Sequence, residues 1–409
     1  MGEVLRELKE SWLGVVGFGL FVLWLLSFPM EGYLLMELQG GRELHTVFLA
    51  THTATLLGIG LGLWRLKEGL FKASAPTTAL LTVALALTSG ELTTGVMGLI
   101  GVTSGLLSAW VAASLSGFKR PIVVAAGGLI LANLLLTGVI EAVRALPPVK
   151  LPLTVIVGLG LLTALLLPPP RREGDLSEIK RGAPVIFLIY LLLGNSYLFL
   201  LKESSPSAFF GLDNLFYAAA VAAATFIALR RSSLLLPVTV IALGISVITL
   251  AVRGGLTSLA FIQSSAGLAD IFTLSLLFKA GASLRGAGIV LGSMVGGILA
   301  GIPIASVANG WSSTAPLLGN FVISVLFAAN YLLKEHSPLE EAIKRLGLKR
   351  ESFSKREWQV LEGIYSGKNI KEIAQEIGIS ESSVKTYTGR IYKKAGVRGK
   401  RELLEKLKG

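Results

Sequence analysis

Residues 353–407 read FSKREWQVLEGIYSGKNIKEIAQEIGISESSVKTYTGRIYKKAGVRGKRELLEKL, a stretch that divides into four short helical blocks. Ser354 and Glu357 stand three apart, the spacing of a capping box. In that box a hydroxyl and a carboxylate satisfy the free amides at a helix start. Trp358, Leu361, Ile364 and Tyr365 then recur at helical spacing and give one apolar face. Gly367 ends the helix, because glycine takes the left-handed conformation without steric cost. Asn369 caps a second helix, with Ile370, Ile373, Ala374 and Ile377 inward, and Gly378 makes a tight turn. Ser380 caps a third, whose inward side holds Val384, Ile391, Ala395 and either Thr388 or Tyr387. Gly396 closes it, and Leu403, Leu404 and Leu407 line a fourth.

Helix, glycine turn and capped helix form the helix-turn-helix motif, which sets its second helix in the DNA major groove. The outward face of that helix carries Lys385, Thr386, Gly389, Arg390 and Lys393, and no acidic residue lies between Glu381 and Glu402. A lone basic helix is ordinarily a solvated face. Here residues 352–409 hold thirteen Lys or Arg against seven Glu, a net charge of +6 out of +12 for the whole chain. Such a face suits phosphates.

The segment resembles the DNA-binding domain of LuxR-type response regulators and quorum sensors. Their pattern is approximately T-x-R-E-x-x-V-L followed by G-x-x-x-x-E-I-A-x-x-L-x-I-S-x-x-T-V-K-x-H-x-x-x-I-x-x-K. It is matched here by Ser354, Arg356, Glu357, Val360, Leu361, Gly367, Glu372, Ile373, Ala374, Ile379, Ser380, Val384, Lys385, Ile391 and Lys394. The resemblance implies double-stranded DNA as partner, with base and phosphate contacts at Ser383, Lys385, Thr386 and the position of Gly389. Tyr387 stands where histidine is usual, and Gly389 replaces a longer side chain. The DNA sequence read by relatives therefore does not transfer. The resemblance also implies a homodimer on DNA paired through the fourth helix, and Leu403, Leu404 and Leu407 offer more apolar surface than a three-helix core needs.

The remaining 350 or so residues are of another kind. The 409-residue chain is 52% hydrophobic and 16% charged, the composition of a membrane protein. It contains no cysteine, which excludes disulfides and thiolate metal sites, and its three histidines are scattered. No catalytic triad, carboxylate pair or phosphate-cradling loop stands out, so no enzyme activity, cofactor or metal is expected. Met1–Glu10 is polar and mixed in charge, and the apolar run from Trp12 to Pro29 has no cleavage site after it.

About twenty apolar residues and a short polar turn then repeat along the chain. Twelve spans are expected, near 12–30, 46–63, 73–90, 94–116, 121–141, 151–168, 183–201, 207–229, 234–252, 256–278, 286–308 and 314–333. The pair on either side of Glu91 also reads as one bent helix. With the N-terminus cytoplasmic, inner loops carry thirteen Lys or Arg and outer loops five, and both termini of this cell-membrane protein are expected to be cytoplasmic. The longest loop, 168–181, divides the spans six and six, an outline that resembles the major facilitator superfamily. That family's loop between spans two and three, G-x-x-x-D-R-x-G-R-R, is matched by Gly62, Lys67 and Gly69, but Leu66 replaces the aspartate and Leu70 an arginine.

The expected organisation is all-α. It comprises a membrane domain over 1–334, a linker helix within 335–351 that starts at Ser337-Pro338, and a helix-turn-helix domain over 352–409. Ionisable and amide residues inside spans usually face a cavity or a partner. Asp270 is the sharpest, with Asp213, Asn214, His52 and Asn133 as further candidates for an unknown small-molecule ligand, and Asn195, Gln263 and Asn320 behind them. The bland alternative for each is an interhelical hydrogen bond. The functional expectation is a one-component transcription regulator bound to membrane lipid. The alternative is a transporter of the major facilitator type with a regulatory DNA-binding tail.

Overall fold

The computed structural model describes residues 11–408 apart from 31–33, 36–41, 86, 89, 171–175, 204–211, 253–254, 308–318, 320–321, 323–324 and 327–337. The described residues form helices and connecting turns, with no strand among them. The chain separates into two compact units, Met1–Tyr331 and Leu332–Gly409.

The first unit contains α1 (Trp12–Leu25), α2 (Arg42–Leu61), α3 (Glu68–Leu85), α4 (Glu91–Ser114), α5 (Pro121–Ala145) and α6 (Lys150–Gly160). These are followed by α7 (Leu176–Glu203), α8 (Leu212–Arg231), α9 (Leu235–Val252), α10 (Gly255–Lys279) and α11 (Leu284–Val307). Seven helical stretches among the described residues are long and apolar enough to cross a membrane. One of them, Asn214–Thr249, runs through α8 and α9, which are joined by the 3-10 turn Ser232–Leu234. The expected span 314–333 falls almost wholly outside the described residues. α3 and α4 are separate helices rather than one bent one, because Gly90 breaks the chain with φ +62 and ψ −142, a conformation essentially reserved for glycine. α1 ends in a widened π-helical turn, Leu26–Met30, which contains Pro29. Proline lacks the N–H that a regular turn needs.

Lipid tails give helices no hydrophobic reason to associate, so packing depends on close backbone approach through small residues. α11 shows this on two sides. A β-carbon at Gly288 would lie 2.6 Å from the Gly60 nitrogen and 2.7 Å from the Leu56 carbonyl oxygen of α2. One at Gly297 would lie 2.4 Å from the Phe187 carbonyl oxygen of α7. In return, a β-carbon at Gly194 of α7 would lie 2.9 Å from the Ile298 α-carbon of α11. Arg285 fastens the start of α11 to the end of α2, its Nε donating to the Gly60 carbonyl at 3.1 Å.

The second unit contains α12 (Pro338–Arg345), α13 (Lys355–Tyr365), α14 (Ile370–Ile377), α15 (Glu381–Ala395) and α16 (Lys400–Lys408). Both capping boxes are complete. Ser354 exchanges hydrogen bonds with Glu357, and Asn369 with Glu372. Gly378 and Gly396 end α14 and α15 in the left-handed conformation, with φ +65 and +61. The linker helix is part of this unit: Leu339, Ala342 and Ile343 of α12 share one core with Phe353, Trp358, Leu361 and α16's Leu403 and Leu407. This corrects the argument for pairing drawn from the three leucines. Leu403 and Leu407 are fully buried in the domain's own core, and only Leu404 remains half-buried.

Gly297→Leu puts a side chain where α7 backbone stands, and no flexible group is there to yield. We expect the variant to lose monodispersity and cooperative melting after detergent extraction. A melting curve that overlays the wild type contradicts the backbone contact.

Candidate nucleic-acid interface and intramembrane carboxylate

α15 is positioned from both ends. At its start, the Ser380 hydroxyl accepts from the Ser383 amide at 3.1 Å. Its two apolar anchors, Val384 and Ile391, are fully buried. Near its end, Lys394 Nζ donates to Glu357 Oε2 at 2.6 Å, and that oxygen also accepts from the Ser354 amide at 2.7 Å. One buried carboxylate therefore caps α13 and holds α15 against it. The Lys394 ammonium and the Ser354 groups keep the Glu357 carboxyl below its ordinary value of 4.5. Arg356 adds a second tie, donating to the Ile377 carbonyl at the end of α14 at 3.0 Å.

With that side fixed, Lys385, Thr386, Gly389, Arg390 and Lys393 all stand exposed along α15. Arg390 lies over the Tyr387 ring, 5.8 Å from its centroid, so the tyrosine at the usual histidine position braces a cation. The Thr386 hydroxyl is turned back to the Ser382 carbonyl at 3.0 Å. Ser383 is half-buried and its hydroxyl lies 2.8 Å from that of Ser380, inside the cap. Open space surrounds Gly389, so the missing side chain leaves a gap in the row of polar groups.

The intramembrane candidates do not form one cluster. Asp270 is held by two phenols from other helices: the Tyr190 hydroxyl of α7 donates to Oδ1 and the Tyr217 hydroxyl of α8 to Oδ2. Asn214, one turn before Tyr217, donates to the Thr137 hydroxyl of α5 at 3.1 Å. Thr137 in turn bonds the Asn133 carbonyl, and the Asn133 amide donates to Leu129 in its own helix at 2.9 Å. These residues thus run from α10 through α8 to α5. His52 belongs elsewhere. It is buried between Ser104 at 2.7 Å and Ser108 at 3.4 Å on α4, with its ring 5.0 Å from that of Phe48. Those contacts join α2 to α4. The side chains of Asp213 and Asn195, and all of Asn320, lie outside the described residues.

Tyr190, Tyr217 and Thr137 were absent from the candidates expected from sequence. The signal was available: Tyr190 and Tyr217 each place a hydroxyl in an otherwise apolar run, IFLIYLLL and NLFYAAA.

Residues 351–407 match the family described as bacterial regulatory proteins, luxR family. No curated protein matches the chain. The helical bundle is similar to solved membrane transporters. The human organic anion transporter MFSD10 (TETRAN) gives a TM-score of 0.59 at 13% identity, over 81% of this chain and 99% of that one. The major facilitator superfamily transporter FucP, in the outward conformation, gives 0.54 at 15% identity, over 79% and 98%. A bacterial homologue of the iron transporter ferroportin, outward-facing with soaked iron, gives 0.57 at 14% identity, over 78% and 96%. The chain is therefore a membrane protein with a major-facilitator-like fold. It carries a LuxR-type helix-turn-helix domain at its C-terminal end.

Two outcomes test the interface. Lys385→Ala should weaken specific DNA binding by about 1–3 kcal/mol and relax sequence preference. Lys393→Ala should instead lower affinity evenly across sequences and reduce the salt slope by about 1. Fluorescence anisotropy across a salt series separates the two, and an unchanged Kd for Lys385→Ala sinks the assignment of this face.

A third outcome concerns pH. The lowered Glu357 pKa contributes stability that is present above the ordinary carboxylate value and lost as pH falls through the folded one. Denaturant unfolding of the 332–409 unit should therefore show stability dropping in acid, and Glu357→Gln should flatten part of that drop. A variant with the wild-type pH profile removes the ion pair from the account.

Proposed function

We propose that the chain is a membrane-bound one-component transcription regulator of the cell membrane. A twelve-span, six-plus-six bundle over 1–334 senses a small ligand, and residues 352–409 bind double-stranded DNA from the cytoplasmic side. Both termini are cytoplasmic on this reading. The observation that carries it is the junction in one polypeptide of a LuxR-type domain with a major-facilitator-like bundle. The exposed basic face of α15 supports the DNA half. DNA binding as a homodimer fits the family, with Leu404 the apolar residue that α16 leaves partly uncovered. The chemistry is that of binding and switching, with no catalytic step.

A ligand switches such a protein only when it binds two conformations with different affinity. The Asp270 cluster, made of three helices, is a place where that difference can arise. Asn214 and Asn133, linked to it through α8 and α5, extend the proposed sensing region.

The transporter reading keeps one specific observation in its favour, the part-buried carboxylate within a transporter-like fold. Crosslinking of the full-length protein to chromosomal DNA in cells, followed by sequencing, decides between them. We expect discrete enriched loci that vanish in a Lys385→Ala, Arg390→Ala double variant. Uniform coverage, equal in both proteins, overturns the regulator.

A further inference from the structure

The turn between α2 and α3 reads LGLWRLKEGLFK over residues 61–72. It sets one indole beside two cations from distant parts of the chain. Arg65 lies over the Trp64 ring, 5.2 Å from its centroid, and Arg285, at the start of α11, lies 5.9 Å from the same centroid. Arg285 commits its Nε to the Gly60 carbonyl at 3.1 Å. Both terminal nitrogens of its guanidinium are left without a hydrogen bond among the described residues. Arg65 is exposed, and its side chain makes no hydrogen bond among the described residues.

The charges of this corner do not balance. Glu68, the carboxylate of the turn, is paired with Lys72 at 2.9 Å. No salt bridge forms to Arg65, Lys67 or Arg285 among the described residues. Two guanidinium groups held beside one ring repel each other unless an anion lies between them. Their planar N–H forks match the paired oxygens of a phosphate.

The surroundings narrow the choice of anion. Leu61, Leu63, Leu66 and Leu70 are all exposed around the same turn, Leu61 at 84%. Leu66 and Leu70 stand where the transporter-loop pattern carries charge. A soluble phosphate gains nothing from four exposed leucines, whereas an amphiphile covers them. Tryptophan and arginine are the side chains that suit the boundary between acyl chains and headgroups, with an apolar body below and a polar end above.

We propose that this corner binds an anionic phospholipid. Its phosphate is held by Arg65 and Arg285, and its acyl chains lie against the exposed leucines. A single headgroup shared by these two arginines joins the α2–α3 turn to the start of α11, close to where Gly60 and Gly288 meet. Lipid is then a bound component of the fold at this point as well as its solvent. The inference needs the membrane character of the bundle, not its sensing role.

The test uses full-length protein in phosphatidylcholine vesicles at fixed pH and ionic strength, read by tryptophan fluorescence. The probe is phosphatidylglycerol brominated high in its acyl chains, compared with phosphatidylcholine brominated at the same positions. Both leaflets carry the probe, so the side that the turn faces does not enter. At equal mole fraction the anionic lipid should quench more, and Trp64→Phe should remove the excess. Arg65→Gln breaks no hydrogen bond of the fold and retains Trp64 as reporter. It should reduce the preference for the anionic lipid about fivefold. An Arg230→Gln, Arg231→Gln double variant, which removes more charge from the end of α8, should leave that preference unchanged. Equal quenching by the two lipids overturns the proposal, as does an excess that persists in Trp64→Phe or Arg65→Gln. A loss of equal size in the α8 variant reduces the effect to bulk charge and overturns the site. Inorganic phosphate that abolishes the preference at constant ionic strength overturns lipid as the occupant. The chromosomal crosslinking described above reads the DNA-binding unit, so failure of either test leaves the other standing.

Discussion

Backbone contact along α11 is the constraint on which the membrane unit depends. Inside a bilayer, burying a leucine against another helix gains little over burying it in lipid. Stability must come from dispersion between closely packed atoms and from polar groups that find partners. Glycines on two sides of α11 let α2 and α7 come within touching distance of its main chain. Larger residues there would hold the three helices apart, and the rows of weak contacts would be lost. The same device recurs where Gly267 meets α8 and Gly101 meets the Phe48 carbonyl of α2.

The polar groups of the bundle follow from that closeness. Trp24 reaches Thr82 at 3.1 Å, Thr78 reaches Thr103 at 2.9 Å, and His52 reaches Ser104, each pair joining two helices. Bonds of this type hold the bundle together without selecting a ligand. The Asp270 cluster differs in kind because it joins one carboxylate to two donors from different helices. The DNA-binding unit works by other means. Its helices are short, so their ends matter more than their middles, and two capping boxes, a serine cap and three left-handed glycines, Gly367, Gly378 and Gly396, define the boundaries from the start of α13 to the end of α15.

Local chemistry made the C-terminal unit legible from sequence. Ser354, Glu357, Asn369, Gly378, Ser380 and Gly396 each act within a few residues, and each lies where the pattern places it. The exposed face of α15 was legible for the same reason. Contacts between distant segments were not. Lys394 reads as one more surface cation until Glu357, thirty-seven residues away, is seen to hold it. Asp270 reads as a lone carboxylate because its donors lie fifty-three and eighty residues distant. The leucines of α16 misled because periodicity shows that a face is apolar but not what covers it. Here α12 does, the helix that the sequence sets apart as a linker.

That helix has a mechanical consequence. Leu339, Ala342 and Ile343 are built into the core they share with Leu403 and Leu407. The chain entering this unit therefore does not end in a passive string. Tension applied ahead of Pro338 acts on the interior of the DNA-binding domain itself. Peeling α12 away costs the burial of its side chains, about 1.5–3 kcal/mol for a leucine or isoleucine, and bares the side of α16 that it covered. A load on that single strand of polypeptide would in this way change which surface of α16 meets solvent.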